Sequence, residues 1–417
     1  MRMKTIRAGL LALAFAALAG CASAPKPVQV ARTDRPAAAL QGPPLILISI
    51  DGFRADYIDR GVTPNLKALA DEGAYAAMRP SFPSLTFPNH YTLVTGRRPD
   101  ETGIVANTMR DPRRPGVTFK MADAAQVRDG FWWRAALPMW DSVVRAGGRS
   151  AVEFWPGSEA EVDGLRPTYF NPYDGKVSNA ARVDQVLKWL DLPASKRPQA
   201  LLLYFDEVDH AGHSYGPDSP EVDAAIAHVD AAIGRLRAGL KARGIDPNLI
   251  VVADHGMAGI ALDRTYFLED YLPKGSYDAV VQGPEAEIDP APGHAADLEK
   301  LTHMSFPHMR CWDKADIPAP YHYGRNPRVP AVLCLSDPGW MVVTTHARGI
   351  WGNRGAHGYD PAAREMAALF IAHGPGVRAG VLLPSFDNVS VYDLEMHFLG
   401  LTPEPNDGDL SPFAAAL

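Results

Sequence analysis

Carboxylates and imidazoles recur along this 417-residue chain at the ends of short apolar runs. LILISI leads into Asp51, LLLYF into Asp206, Asp209, His210 and His213, and LIVVA into Asp254 and His255. His357 stands apart, in the glycine-rich segment NRGAHGYD. Carboxylate oxygen and imidazole nitrogen together form a donor set that suits zinc. An isolated Asp-His dipeptide is more often a turn carboxylate beside a packed histidine. Several such clusters ending equivalent runs favour metal binding instead, with donors enough for two ions. Asp206 with His210 and Asp209 with His213 are both i,i+4 pairs; either would share a helix face, and spacing leaves the choice open. Thr86, in SFPSLTFPNHYTLVTG, is the candidate nucleophile. Pro88 places it near the start of a helix, where free amides and the helix dipole favour an alkoxide or hold a phosphate. A nearby metal would lower the pKa of its hydroxyl further. Local sequence alone favours the plainer role of an N-cap.

Elements to position these residues are legible. Leu45–Ile50, Ser150–Trp155, Ala200–Phe205, Leu249–Ala253, Trp340–Thr345 and Met366–Ala372 read as strands. Helices are expected from Pro64 to Gly73, over Thr86–Thr95, over Ser178–Leu192, from Pro220 to Gly244 and over Ser390–Leu399. Alternating strands and helices predict an α/β fold with a mostly parallel central sheet flanked by helices. Ligands of such sheets gather at the carboxyl ends of the strands, where the acidic clusters lie. Residues 260–338 are rich in Pro, His and Tyr with little periodicity, and read as an inserted cap subdomain.

Bulk properties narrow the class. The chain is 47% hydrophobic and 21% charged, as expected of a globular protein. Residues 1–20 form a basic, then apolar leader ending in Leu-Ala-Gly before Cys21, which resembles a lipoprotein signal with Cys21 as the lipidated residue. Residues 21–43, rich in Ala, Pro, Gln and Arg, read as a flexible tether, and the domain as 44–417. Ala22 after the lipidated cysteine favours an exported protein anchored in the outer membrane and facing the periplasm. Loss of the leader would leave 38 basic against 48 acidic side chains, which argues against binding duplex nucleic acid. Cys311 and Cys334 make an even pair in an exported chain, so a disulfide is expected, worth roughly 3 kcal/mol by loop closure.

The ordered blocks ISIDGFR, FPNHYTLVTG, GIVANTM, DHAGHSYGP, VADHGM, YGRNPRVP and GAHGYDP together resemble the nucleotide pyrophosphatase/phosphodiesterase family of the alkaline phosphatase superfamily, in a bacterial lipoprotein form. The likeness covers most of residues 44–400. It implies two zinc ions, one held by Asp51, Thr86, Asp254 and His255, the other by Asp209, His213 and His357. It thereby chooses Asp209 and His213 over Asp206 and His210. Asn107 matches the family residue that, with the Thr86 amide, grips a non-bridging phosphoryl oxygen. Phe87, Tyr204 and Tyr173 fall where the family stacks a nucleobase, although core packing is the alternative for each.

The implied reaction is zinc-dependent hydrolysis of nucleotide phosphodiesters or pyrophosphates through a phosphothreonine, releasing a nucleoside 5'-monophosphate. One alternative keeps the chemistry on a lipid-head-group or choline phosphodiester, which a cage of aromatics and acids within 260–338 would support. Another is a non-catalytic surface lipoprotein, which predicts missing metal ligands. The substrate partner is a small nucleotide or phosphodiester, and a tethered monomer is the default.

Overall fold

The computed structural model describes residues 38–346 and 352–417. The leader, Cys21 and most of the expected tether lie outside the described residues. Packing begins before Pro44, because Leu40 is already buried in the main core.

Eight strands form the central sheet. In chain order they are β1 (Leu45–Ile50), β2 (Ala74–Met78), β3 (Ser150–Glu153), β4 (Tyr169–Asn171), β5 (Ala200–Phe205), β6 (Asn248–Val252), then β11 (Ala368–His373) and β12 (Val381–Leu382). Their spatial order is β12-β2-β11-β6-β1-β5-β3-β4. The centre is parallel: Leu45 of β1 lies opposite Ala200 of β5 on one side and Asn248 of β6 on the other. Only β11 runs against its neighbours, pairing antiparallel with both β6 and β2. Every residue of β1, β5 and β6 is buried, which explains why these strands read as unbroken apolar runs.

Helices cover both faces. α1 (Pro64–Asp71), α4 (Asn179–Leu190), α5 (Glu207–Tyr215) and α6 (Pro220–Ala242) pack together; α2 (Thr86–Leu93), α3 (Met139–Arg145) and α7 (Val391–Leu399) form a second group. Caps set the longer ones. The Ser178 hydroxyl accepts from the amide of Ala181, and that of Ser219 from Val222, with Pro220 following at the first helical position. Among the described residues no helix is long and apolar enough to cross a membrane.

The expected insertion folds as its own antiparallel sheet, β7 (Tyr277–Val281), β8 (Glu285–Pro290), β9 (Met309–Asp313) and β10 (Val332–Ser336), in the order β7-β8-β10-β9. Cys311 and Cys334 stand directly opposite on β9 and β10 and are joined as a disulfide. One face packs on a small core including Leu268, Ile288, Leu298 and Val332. The other meets the main domain. There Arg328 is buried and donates to Asp111 at 2.8 Å and to the carbonyls of Gly103 and Trp132. Removing either partner of such a buried pair strands the other, at a cost of about 3–5 kcal/mol.

Glu285 and Glu287 of β8 also face this interface, fully buried, with Glu287 accepting from the Tyr323 hydroxyl. Burial pushes both carboxyls up, Glu285 further through its proximity to Glu287, and Glu287 rises to about 8. The folded protein therefore keeps protons that the unfolded chain releases near the ordinary glutamate value. This contribution is fully present below that value and is lost as pH rises through the elevated one. Unfolding free energy should fall from about pH 5 to about pH 8, by up to about 1.4 kcal/mol per pH unit for each proton held. Replacing both glutamates by glutamine should flatten that slope in urea titrations across the range. An unchanged slope would remove the pair as its cause.

Candidate active site

The three central strands β6, β1 and β5 deliver their acids to one edge. Asp51 follows β1 directly, Asp254 and His255 follow β6, and Asp209 and His213 lie on α5, which begins after β5. His357 comes from the loop after the short strand Gly355–Ala356. Close approach is permitted by Gly52, whose φ is +66° and where a Cβ would meet Asp209 atoms at 3.1 Å.

The histidines are aimed by the main chain. Nδ1 of His213 lies 2.9 Å from the Gly355 carbonyl, that of His255 2.9 Å from the Gly256 carbonyl, and that of His357 2.9 Å from the Ser84 carbonyl. A carbonyl only accepts, so each Nδ1 carries the proton and each Nε2 presents its lone pair to the centre. His213 Nε2 and His357 Nε2 are 3.1 Å apart. Two lone pairs at that distance form no hydrogen bond; a cation between them resolves the repulsion.

The carboxylates supply the rest. Asp209 oxygens lie 3.5 Å from His213 Nε2 and 3.6 Å from His357 Nε2. His255 Nε2 lies 2.9 Å from Asp254 Oδ2 and 3.5 Å from Asp51 Oδ1. Ligand atoms around tetrahedral zinc are separated by about 3.3 Å, so these spacings fit. Asp51 Oδ1, Asp209 Oδ1 and Asp254 Oδ2 are buried with no hydrogen-bond partner, an arrangement that costs several kcal/mol unless a cation takes them up. His255 stacks on His357 at 3.5 Å and sits between the two groups.

Electrostatics point the same way. Burial, then Asp254 and Asp209, push the Asp51 carboxyl well up. Burial works to raise Asp254 too, yet His255 and His90 hold it well below the usual carboxylate range. Burial and the neighbouring His255 and His213 keep His357 neutral. Asp254 in turn raises His255 against its burial; dications would ionise the whole acid set and take the place of the proton that His255 then carries.

Thr86 is the first residue of α2, a helix buried along its whole length. Leu85 takes the N-cap position, so Thr86 is not spent as a cap; its Oγ1 instead lies 3.4 Å from His255 Nε2. The Phe87 amide donates to Asn107 Oδ1 at 2.9 Å. That bond turns the Asn107 Nδ2 donor the other way and leaves the Thr86 N–H as a free first-turn donor. The loop before Thr86 is held by Asn89, which is fully buried. Its Oδ1 accepts from the Ser81 amide at 2.8 Å and Asn388 Nδ2 at 2.9 Å, while its Nδ2 donates to the carbonyls of Pro83 and Leu85.

All seven expected metal-binding positions converge. Asp206 and His210 do not: Asp206 pairs with buried Arg182 at 3.0 Å and accepts from Tyr173, and His210 is exposed. Tyr204 needs correction as a base-stacking residue. It is buried, and its hydroxyl donates to Asp51 Oδ2 at 2.6 Å, which holds that carboxylate in place. Phe87 packs against Phe119 and Trp133 and is 8% exposed, whereas Tyr173 is 46% exposed. The cap aromatics Tyr266, Tyr271 and Phe306 pack on one another. Sequence reading also passed over Asn89 and His90, although both stand in the FPNHYT block. Ser49 lies opposite Tyr204 in the sheet, and knowing that register would have placed Tyr204 beside Asp51.

Fold and site define an alkaline-phosphatase-like hydrolase. The sequence model of the type I phosphodiesterase / nucleotide pyrophosphatase family matches residues 45–360. The chain belongs to that family. An uncharacterized pyrophosphatase/phosphodiesterase of Schizosaccharomyces pombe is 39% identical over 386 residues, covering 87% of this chain and 78% of the yeast protein. A venom phosphodiesterase of Crotalus durissus collilineatus is 37% identical, covering 88% of this chain but only 45% of its own length. The chain thus spans less than half of that longer relative. Murine ectonucleotide pyrophosphatase/phosphodiesterase 5, solved as an inactive Thr-to-Ala form in complex with AMP, superposes with a TM-score of 0.85 at 33% identity, over 89% of this chain and 99% of that one.

Proposed function

We propose that the protein hydrolyses phosphodiester and pyrophosphate bonds of nucleotides, releasing a nucleoside 5'-monophosphate through a phosphothreonine at Thr86, with two zinc ions. The reading is carried by one observation: a buried cluster of unpartnered carboxylate oxygens and converging imidazole nitrogens, one of which, His255 Nε2, lies 3.4 Å from the Thr86 hydroxyl. It is supported by the AMP bound to the murine relative whose threonine is replaced.

When bound, the ions lower the pKa of the Thr86 hydroxyl and stabilise the leaving oxygen. Asp51, Asp254 and His255 would hold one with Thr86; Asp209, His213 and His357 would hold the other. Thr86 Oγ1 attacks phosphorus, a P–O bond forms to Thr86, and the bond to the leaving alkoxide or phosphate breaks. Asn107 Nδ2 and the Thr86 N–H receive the non-bridging oxygen as charge builds there. Water then cleaves the phosphothreonine, and two inversions give net retention at phosphorus. The exposed Tyr173 ring, braced by Asp206, is the surface for the base, with Phe87 as a second candidate.

The test is turnover on a nucleotide diester against a matched phosphate monoester. Diester preference of at least tenfold is expected; a monoester preference would overturn the reading. We also propose export and lipid anchoring at Cys21, on the sequence of the leader. Radiolabelled palmitate should enter the wild type and not Cys21→Ser; equal labelling would refute the anchor.

A further inference from the structure

His90 is a fully buried histidine in the same helix as Thr86 to which the mechanism assigns no role. Its Nδ1 lies 2.9 Å from the Thr86 carbonyl and 3.3 Å from Asp254 Oδ2. Its Nε2 lies 2.8 Å from Ser49 Oγ. The carbonyl can only accept, so Nδ1 carries the proton, and Ser49 donates to Nε2. Both nitrogens are thus engaged, and His90 has no lone pair left to ligate a metal. That N–H donates to the backbone of the nucleophile, and a carboxylate oxygen of the first metal group lies 3.3 Å from the same nitrogen.

The surroundings leave the ring little freedom. The edges of Trp155 and Tyr204 lie about it at ring-centroid distances of 5.1 and 5.2 Å, and Trp155 Nε1 donates to the His90 carbonyl at 3.1 Å. Asp254 is held from the other side, where Oδ1 accepts from the Gly52 amide at 3.1 Å. Oδ2 is therefore fixed between His90 Nδ1 and the site occupied by His255 Nε2, 2.9 Å away.

We propose that His90, with its tautomer set by Ser49, is a positioning residue that locks the Asp254 carboxylate to the Thr86 backbone, so that one metal and the nucleophile keep a fixed separation. The inference rests on the two-metal reading above. Nearby carboxylates and histidines that orient metal ligands in this way typically change metal affinity or activity 10–100-fold when removed.

The experiment measures zinc affinity by competition with a fluorescent chelator, together with kcat and KM on a nucleotide diester. His90→Leu keeps the volume and removes the N–H. His90→Asn places an amide donor where Nδ1 stood. The Leu variant should lose roughly 10–100-fold in the affinity of one of its two sites, and in kcat more than in KM. The Asn variant should recover most of both. Ser49→Ala should shift the same quantities in the same direction by a smaller factor, because the ring is then free to turn a bare Nδ1 toward two acceptors. Equal losses in the Leu and Asn variants would reduce His90 to packing and overturn the proposal, as would wild-type affinity in all three. If His90→Leu fails to fold, the Ser49→Ala shift decides. A wild type that binds no zinc would instead sink the two-metal reading itself.

Discussion

Thr86→Ala should lose turnover by roughly 10^4-fold or more while keeping both metals, because the attacking atom is removed and only unaided water attack remains. The hydroxyl lies against His255 at the mouth of a buried ligand set, and the loop behind it is pinned by the four hydrogen bonds of Asn89. The methyl side chain should settle into the same backbone, so metal content and melting temperature serve as controls. Trapping is the complementary assay. A rapid acid quench of wild type with a labelled diester should leave phosphate on Thr86, and the alanine variant should carry none. Turnover retained in Thr86→Ala would end the nucleophile assignment, whatever the metal content.

Asp209→Ala should empty one of the two metal positions and cost roughly 10^3-fold in turnover, the effect of losing several kcal/mol of charge stabilisation. Its oxygens stand within 3.5–3.6 Å of His213 and His357, whose lone pairs would then face each other with less to hold a cation between them. Asp206→Asn is the matched control, three positions earlier. Asparagine keeps a hydrogen-bond partner for buried Arg182, which also donates to the Tyr204 carbonyl, but leaves its charge uncompensated, so a lower melting temperature is expected and is read beside the metal content. That variant should keep both metals and, through a loosened Tyr173, change KM more than kcat. Elemental analysis of the pair settles the matter: one metal in the Asp206 variant and two in the Asp209 variant would reverse the ligand assignment.

The sheet centre was legible because β1, β5 and β6 are buried on both sides and read as unbroken apolar runs, each followed by its acid. The antiparallel course of β11 was not, since direction leaves no mark on a six-residue buried strand. The cap sheet was hidden for a different reason. On β8 the alternation runs Glu285, Ala286, Glu287, Ile288, and all four are buried, so a hydrophobic pattern is broken by acids that face the interface. Asp209 and Asp206 could not be separated by spacing, because both begin i,i+4 pairs, one at the N-cap of α5 and one within it; what divides them is Arg182, which arrives from another helix to claim Asp206. Tyr204 looked like a ring for stacking because aromatic character is visible in sequence and a hydroxyl partner on the neighbouring strand is not.

The three histidines of the proposed metal centre draw their orientation from carbonyls of Gly355, Gly256 and Ser84, all main chain. A main-chain oxygen is present whatever residue stands there. Random mutagenesis should therefore recover inactive variants at the histidines themselves and few at the positions that aim them, provided the glycine backbone is kept. Drift in the surrounding sequence leaves this part of the centre intact, and a designer wishing to retune it has no side chain to exchange behind those three rings.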